Sequence, residues 1–374
     1  MPWDPYGSSL PALLLADLED RCAGRSHRAN ARWGFLRPPS EGKTVWVVAG
    51  SHPRSVRLGA ELVRAIRQKR LDVRLVFTFE QEYPQVLAPL AGNPRIGWGF
   101  GPCDHPLAVG RALTRLEPLG IVFAGAAPRP HLAQATARLS HRLLVAAGRS
   151  PGMDFEQVYP STEEEAASAG SGAAPAANLL TLVMPSQVDP SFAALVNGPS
   201  SRSLWWWHGV DPQALEGFLA PFRAVFPRDP LFVTGFTPRQ APKLKLMPIS
   251  GWERTPLPDG ALVAVDDPAW LPAVAAACVA VHFDARDDEH LWQALGGGAA
   301  ASRRPGIPLP KAALASTVME SANPADVVQA WRTWQQEPLL KRELRDRARQ
   351  AFWAERRLAG SVRDELLERV FNWD

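Results

Sequence analysis

A chain of 374 residues is too long for one comfortable hydrophobic core and suits two domains with a short tail. With 46% hydrophobic and 21% charged residues, its composition is globular and excludes a disordered chain. The formal charge of +3, from 41 Lys and Arg against 38 Asp and Glu, is too small to argue for a nucleic-acid partner, and the excess of Arg over Lys beside 36 Pro reads as genomic composition bias.

The N-terminal stretch MPWDPYGSSLPALLLADLEDRC has an apolar run of only about seven residues and no cleavage site, so it does not read as a signal peptide. After an irregular basic lead, Arg21 to Pro39, the strand Thr44–Ala49 (TVWVVA) opens a βαβ unit. The loop GSHPRS follows, then a helix over Val56–Lys69 with Leu58, Leu62, Val63 and Ile66 on one face, then a strand over Val73–Phe79. The pattern repeats with a strand at Arg95–Trp98, the loop GFGPCDHP, a helix over Leu107–Leu116 and a strand over Gly120–Ala124. A helix from Pro130 through Leu139 and a strand over Arg142–Ala146 complete it. Near-continuous apolar strands between amphipathic helices predict a doubly wound sheet buried on both faces.

Residues 161–178, acidic and then rich in small residues, read as a helix start running into a flexible loop or linker. Strands at 179–184 (LLTLVM) and 203–209 (SLWWWHG) open a second series, followed by a helix over Pro212–Val225 and a strand over Leu231–Thr234. Further strands are expected at Leu244–Met247, Gly260–Val265 and Cys278–Phe283, with helices at Trp270–Ala277 and Glu289–Leu295. Trp205, Trp206 and Trp207 must alternate between faces of their strand, which predicts at least one exposed indole. Helices at Asn323–Trp334, Pro338–Arg357 and Val362–Phe371 end the chain and are expected to pack across the backs of the sheets; Arg342, Arg345, Arg347 and Arg349 leave contact with anionic lipid open.

The domain plan is therefore a lead (1–42), a Rossmann-like domain (43–160), a flexible loop (161–178), a second Rossmann-like domain (179–335) and C-terminal helices (336–374). Cys22, Cys103 and Cys278 are widely spaced and suit reduced thiols in a cytoplasmic protein, with Cys278 in a buried strand. No stretch reaches the roughly 18 apolar residues of a membrane span, which leaves peripheral membrane contact open. The 8 His show no H-E-x-x-H or other metal spacing, and Gly296–Gly298 fits no dinucleotide or P-loop pattern.

The order of segments, with the strings VWVVAGSHPRSV (45–56), EPLGIVFAGAAPRPHL (117–132), FPRDPLFVTGFTPRQAPK (226–243), LVAVDDPAWLPAVAAACVAVHF (262–283) and QALGGG (293–298), resembles the bacterial Kdo (3-deoxy-D-manno-octulosonic acid) transferases. These are GT-B glycosyltransferases. The resemblance implies an α/β fold of GT-B architecture, two Rossmann-like domains facing a cleft, with an acceptor domain first and a donor domain second. It also implies an inverting, metal-independent transfer from a nucleotide sugar, CMP-linked and Kdo-like, to a glycolipid or surface polysaccharide precursor at the inner face of the cytoplasmic membrane. No nucleic acid enters this reading.

The matches stop at the family's acids. Its catalytic Glu falls on Arg54, the acids of its second signature on Gly125 and Ala127, and its donor-domain signature on Ala285, Arg286, Asp287, Asp288 and Leu291. Arginine, with a pKa above about 12, cannot accept the acceptor's proton. The remaining candidate bases are His52, Glu80 and Glu82, each after a strand where an open sheet presents ligand-facing groups. Ser51, Arg54, His105 and Arg129 are candidate acceptor contacts. His208, Gly209, Gly235, Thr237, Arg239, Asp266 and Glu289 are candidate donor contacts, Arg239 because a guanidinium pairs bidentately with phosphate. For His52, His105 and Glu289 a capping or turn role is the competing reading. Two functions lead, a glycosyltransferase or a catalytically inactive GT-B homologue that binds a nucleotide, glycan or protein, and another sugar-nucleotide enzyme on the same scaffold, epimerase-like or heptosyltransferase-like, stays open behind them.

Overall fold

A computed structural model describes residues 4, 6–39, 42–148, 153–184, 192, 202–236, 238–251 and 257–374. The chain forms two compact units, residues 1–180 with 358–374, and residues 181–357.

The first unit begins with helices α1 (Leu10–Cys22) and α2 (Ser26–Arg32), in a lead (1–42) for which the sequence predicts no helix. The reason is that α1 turns Leu13, Ala16 and Asp20 inward and leaves Leu10, Leu14, Leu15 and Leu18 exposed, so its inward face is short and partly charged. There follow β1 (Thr44–Ala49), α3 (Pro53–Lys69), β2 (Arg74–Phe79), a one-turn α4 (Pro84–Leu87), β3 (Ile96–Phe100), α5 (Pro106–Leu116), β4 (Pro118–Ala124), α6 (Pro130–Thr136), β5 (His141–Val145) and β6 (Gln157–Tyr159). All six strands are parallel in the order β3-β2-β1-β4-β5-β6, which is the Rossmann order. Within residues 161–178, predicted as a helix start and loop, Glu163–Ala169 forms α7, with Thr162 Oγ1 accepting from the Glu165 amide at 3.1 Å.

The second unit contains β7 (Trp205–His208), α8 (Pro212–Val225), β8 (Leu231–Val233), β9 (Met247–Pro248), β10 (Leu262–Ala264), α9 (Leu271–Ala277), β11 (Ala280–Phe283), α10 (Asp288–Gly297), β12 (Ala300–Arg303), β13 (Val318–Glu320) and α11 (Pro324–Gln336). Its seven parallel strands run β13-β12-β11-β7-β8-β10-β9, so the strand order reverses between β7 and β11. The predicted strand at 179–184 is instead a 3-10 turn over Leu179–Leu182, started by the Asn178 side chain accepting from the Leu180 amide at 3.2 Å. Cys278 is buried as predicted, but it ends α9 rather than lying in a strand. None of the three consecutive tryptophans is exposed. Trp205 stacks on Trp331 of α11 at 5.1 Å, Trp207 packs on Phe218 of α8, and Trp206, on the other face, packs edge-on to His208 and His290. Both faces of this strand are covered, so alternation exposes nothing.

The last two predicted helices are one, α12 (Pro338–Phe371). Ala359 and Val362 on either side of Gly360 are buried, and that packing outweighs the roughly 1 kcal/mol that a helical glycine costs. The helix passes from the second unit into the first at Leu358. There, Arg70 Nη1 donates to the carbonyls of Val370, Phe371 and Trp373 at 2.7–2.9 Å, and Trp373 stacks on His141 of β5. The architecture is two Rossmann-like units with returning C-terminal helices, that of the GT-B fold.

Candidate functional site

Ligands of an open parallel sheet bind beyond the C-terminal strand ends, at the point where strand order reverses. In the first unit that point lies between β1 and β4, and the chain itself fills it. Ser55 Oγ accepts from the Gly50 amide at 2.8 Å and donates to the Ala124 carbonyl at 2.5 Å. Gly125, at φ 68, approaches so closely that a Cβ there would lie 2.8 Å from Ser55 Cα.

Around this point stand several residues singled out in the sequence. His52 precedes Pro53 as the N-cap of α3, its Nδ1 accepting from the Arg54 amide at 3.2 Å, and His105 caps α5 in the same way through the Leu107 amide at 3.3 Å. A side-chain acceptor followed by proline is a helix-start signature, which is why both His-Pro pairs sit where they do. Arg54 donates to Ser161 Oγ at 2.8 Å, and the exposed Ser51 accepts through its carbonyl from the Tyr83 hydroxyl at 2.9 Å. Arg129 and Glu80 come together as a bidentate pair at 2.6 and 3.0 Å, and Arg129 also reaches Asp4 at 2.6 Å. Although burial works against its charge, these two carboxylates hold the Arg129 guanidinium above its usual range. Glu82 is exposed and makes no hydrogen bond or ion pair with a described residue.

Asp104 was not among the expected site residues. It is buried and accepts from the backbone amides of His131 (3.1 Å) and Leu132 (2.9 Å), capping α6 from another loop. Beside it, burial pushes the Cys103 thiol up.

In the second unit the strand order reverses between β7 and β11, and a polar cluster occupies their C-terminal ends. Gly209 (φ 72) and Gly235 (φ 110) let the loops meet: a Cβ on Gly209 would lie 2.5 Å from Ala285 Cβ, and one on Gly235 would lie 2.9 Å from Gly209 Cα. His208 Nδ1 lies 2.9 Å from Thr234 Oγ1, and its Nε2 lies 3.6 Å from Asp287 Oδ2. Asp287 caps α10 by accepting from the His290 amide at 3.0 Å, while its Oδ2 sits 2.6 Å from His290 Nδ1.

Burial alone would raise the Asp287 carboxyl, but the His290 contacts and the nearby His208 reverse this and bring it down to about 2. An ionised carboxylate only accepts, so in this pair His290 Nδ1 donates to Asp287 Oδ2, which orients the imidazole. Burial, with His290 adding to it and Asp287 opposing, lowers His208, so that ring is neutral near pH 7.

His290, Asp287 and Thr234 escaped the sequence reading as site residues. The available signal is an Asp and a His three residues apart at a helix start after a buried strand. Glu289 is buried in the first turn of α10, and Asp288 beside it pairs with Arg286 at 3.1 Å. Asp266 is exposed and tied to Ser250; burial would raise it, but the Ser250 hydroxyl and amide hold it below the usual carboxylate range. Arg239 is exposed in a 3-10 turn over Pro238–Gln240 with no ion pair to a described residue, and Thr237 lies outside the described residues. Ser302, His282 and Asp284 form a row at 2.9 and 3.4 Å that mimics a hydrolase triad. Ser302 and His282 are buried and Asp284 also accepts from Trp207 Nε1, so this row is a structural network. Among the described residues no group of His, Cys, Asp and Glu is placed to hold a metal ion, and no helix is long and apolar enough to cross a membrane.

No protein-family profile and no curated protein matches the sequence. Solved structures match the fold. A protein assigned as a UDP-N-acetylglucosamine 2-epimerase of Listeria monocytogenes aligns over 85% of this chain and 94% of its own, with TM-score 0.61 and 14% identity. The UDP-GlcNAc 2-epimerase of Neisseria meningitidis, solved with UDP-GlcNAc bound, aligns over 87% and 100%, with TM-score 0.61 and 9% identity. A glycosyltransferase of Rickettsia africae aligns over 90% and 100%, with TM-score 0.59 and 9% identity. Identities this low establish the GT-B fold and carry no substrate.

Proposed function

We propose that the chain is a nucleotide-sugar-dependent glycosyltransferase whose donor is held by the second unit. The observation that carries this reading is the cluster of His208, Asp287 and His290 at the strand reversal of a Rossmann-like sheet, at the N-terminus of α10. Arg239, with Thr237, would take the donor phosphate, and Gly209 and Gly235 would let backbone approach it.

In the transfer, an acceptor hydroxyl attacks the anomeric carbon with inversion, the bond from that carbon to the phosphate oxygen breaks, and the nucleotide leaves with the electron pair. The guanidinium offsets the charge that develops on the leaving group. The hydroxyl proton needs a base. His52 spends Nδ1 on its cap and Glu80 spends both oxygens on Arg129, which leaves Glu82 as the candidate base among the described residues of the first unit. The Kdo-transferase resemblance supports a CMP-linked, Kdo-like donor and a glycolipid or polysaccharide acceptor at the inner membrane face, whereas the names of the structural neighbours support UDP-N-acetylglucosamine.

Calorimetric titration with CMP, UDP, GDP, ADP and UDP-N-acetylglucosamine, with and without magnesium, tests the reading. One nucleotide is expected to bind, with about tenfold or greater loss in Arg239→Ala; binding of none would refute it. The engagement of His52 and Glu80 favours a second reading, an inactive homologue that retains the nucleotide site. Nucleotide binding with no turnover of the matching sugar nucleotide would select it.

A further inference from the structure

A cavity of about 620 Å3 lies in the first unit on the face of β2 and β3, at the open edge of the sheet, and this volume is that of a pocket for a drug-sized molecule. Its floor is Val76 and Thr78 of β2 with Gly97 and Gly99, their partners in register on β3. Its walls come from α2, from Phe35 to Arg37 and from Arg115 of α5.

The two glycines are the informative feature. Glycine inside a strand costs chain entropy and weakens pairing, so it usually marks a backbone conformation or a close approach that needs it. Neither Gly97 nor Gly99 has positive φ. A Cβ on Gly97 would lie 3.1 Å from Pro39 Cδ, but one on Gly99 would meet no atom within 4 Å. The fold therefore does not require glycine at 99, and what the missing side chain leaves is cavity volume.

The lining sets the chemistry. Arg37, Arg115 and His27 line the cavity and among the described residues no Asp or Glu does, while Ala31, Phe35, Leu36 and Val76 are apolar. Behind the wall, Arg25, Arg28 and Arg32 surround the buried Asp20 and Arg25 also meets Glu19, so the three guanidiniums outnumber the acids they pair with and add a modest positive field.

We propose that this cavity binds a phosphate monoester carried on a short apolar body, with the body over Gly99 and the phosphate on Arg37 and Arg115. Two guanidiniums and an imidazole, with no acid among the described lining residues, suit a dianion, and a guanidinium matches phosphate geometry. The proposal is independent of the reading of the second unit, since none of its residues belongs there.

The test is calorimetry of the full chain with n-octyl phosphate below its micellar concentration, n-octanol and inorganic phosphate. Octyl phosphate should bind at least about tenfold more tightly than either fragment, since both halves of the site contribute. Gly99→Val should weaken it by about tenfold or more while leaving the unfolding midpoint unchanged or raised, because a β-branched residue suits a strand. Arg37→Gln should weaken octyl phosphate and leave octanol unchanged. The proposal is overturned if wild type does not bind octyl phosphate, if inorganic phosphate binds as tightly, or if Gly99→Val binds undiminished. A lowered midpoint for Gly99→Val would also overturn it, by showing that the protein itself uses that space.

Discussion

Replacing Asp287 by Asn separates its charge from its shape. Asparagine is as good an N-cap as aspartate, so the bond from the His290 amide survives, whereas the charged contact to His290 Nδ1 does not. The carboxyl lies at about 2 in the folded chain against the ordinary aspartate value of 3.8. At 1.36 kcal/mol per pKa unit this corresponds to about 2 kcal/mol of stability at pH 7, a factor of roughly 30 in the unfolding equilibrium. The folded value is depressed, so the contribution is complete above the unfolded pKa and is lost as pH falls through the folded one. About half should remain near pH 3.

Urea unfolding of wild type and Asp287→Asn at pH 7, 5 and 3, followed by tryptophan fluorescence, checks this, since Trp206 packs against both histidines. Asp287→Asn should be less stable by about 2 kcal/mol at pH 7 and 5, with the gap narrowing by pH 3. A gap below about 0.5 kcal/mol at pH 7, or one that does not change with pH, would refute the electrostatic account.

Two further outcomes follow from close contacts. Arg70→Ala leaves three carbonyls at the C-terminus without their donor and should cost about 3 kcal/mol, seen as a lower denaturation midpoint and faster proteolysis after Val370. Gly209→Ala forces a side chain into a left-handed conformation and onto Ala285, which should cost about 2–4 kcal/mol by denaturant titration. Adding Ala285→Gly should recover the part due to the clash and not the part due to φ; full recovery would mean that the backbone conformation costs nothing.

Much of the fold was legible because it rests on local pattern. Strand β1 and helix α8 fall where a continuous apolar run, apolar spacing and a proline at the first helical position put them. The two His-Pro caps were likewise readable, because a cap is made within three residues of chain. Elements whose burial depends on distant partners were not. Helix α1 has no apolar inward stripe because it packs Leu13 on Cys103 and Ala108, and α12 continues through Gly360 because Ala359 and Val362 find a core.

The site divides in the same way. Sequence alone determines the two α/β series, the loops after each strand and the residue types on them, since these follow from periodicity and from glycine and proline positions. Only the tertiary structure decides that Glu80 is paired with Arg129, that Asp104 caps a helix 26 residues further on, and that Asp287 lies between His290 and His208. Such pairings depend on angles and distances between loops from separate strands, and strand order in a parallel sheet is set by the packing of whole βα units, which no local pattern encodes.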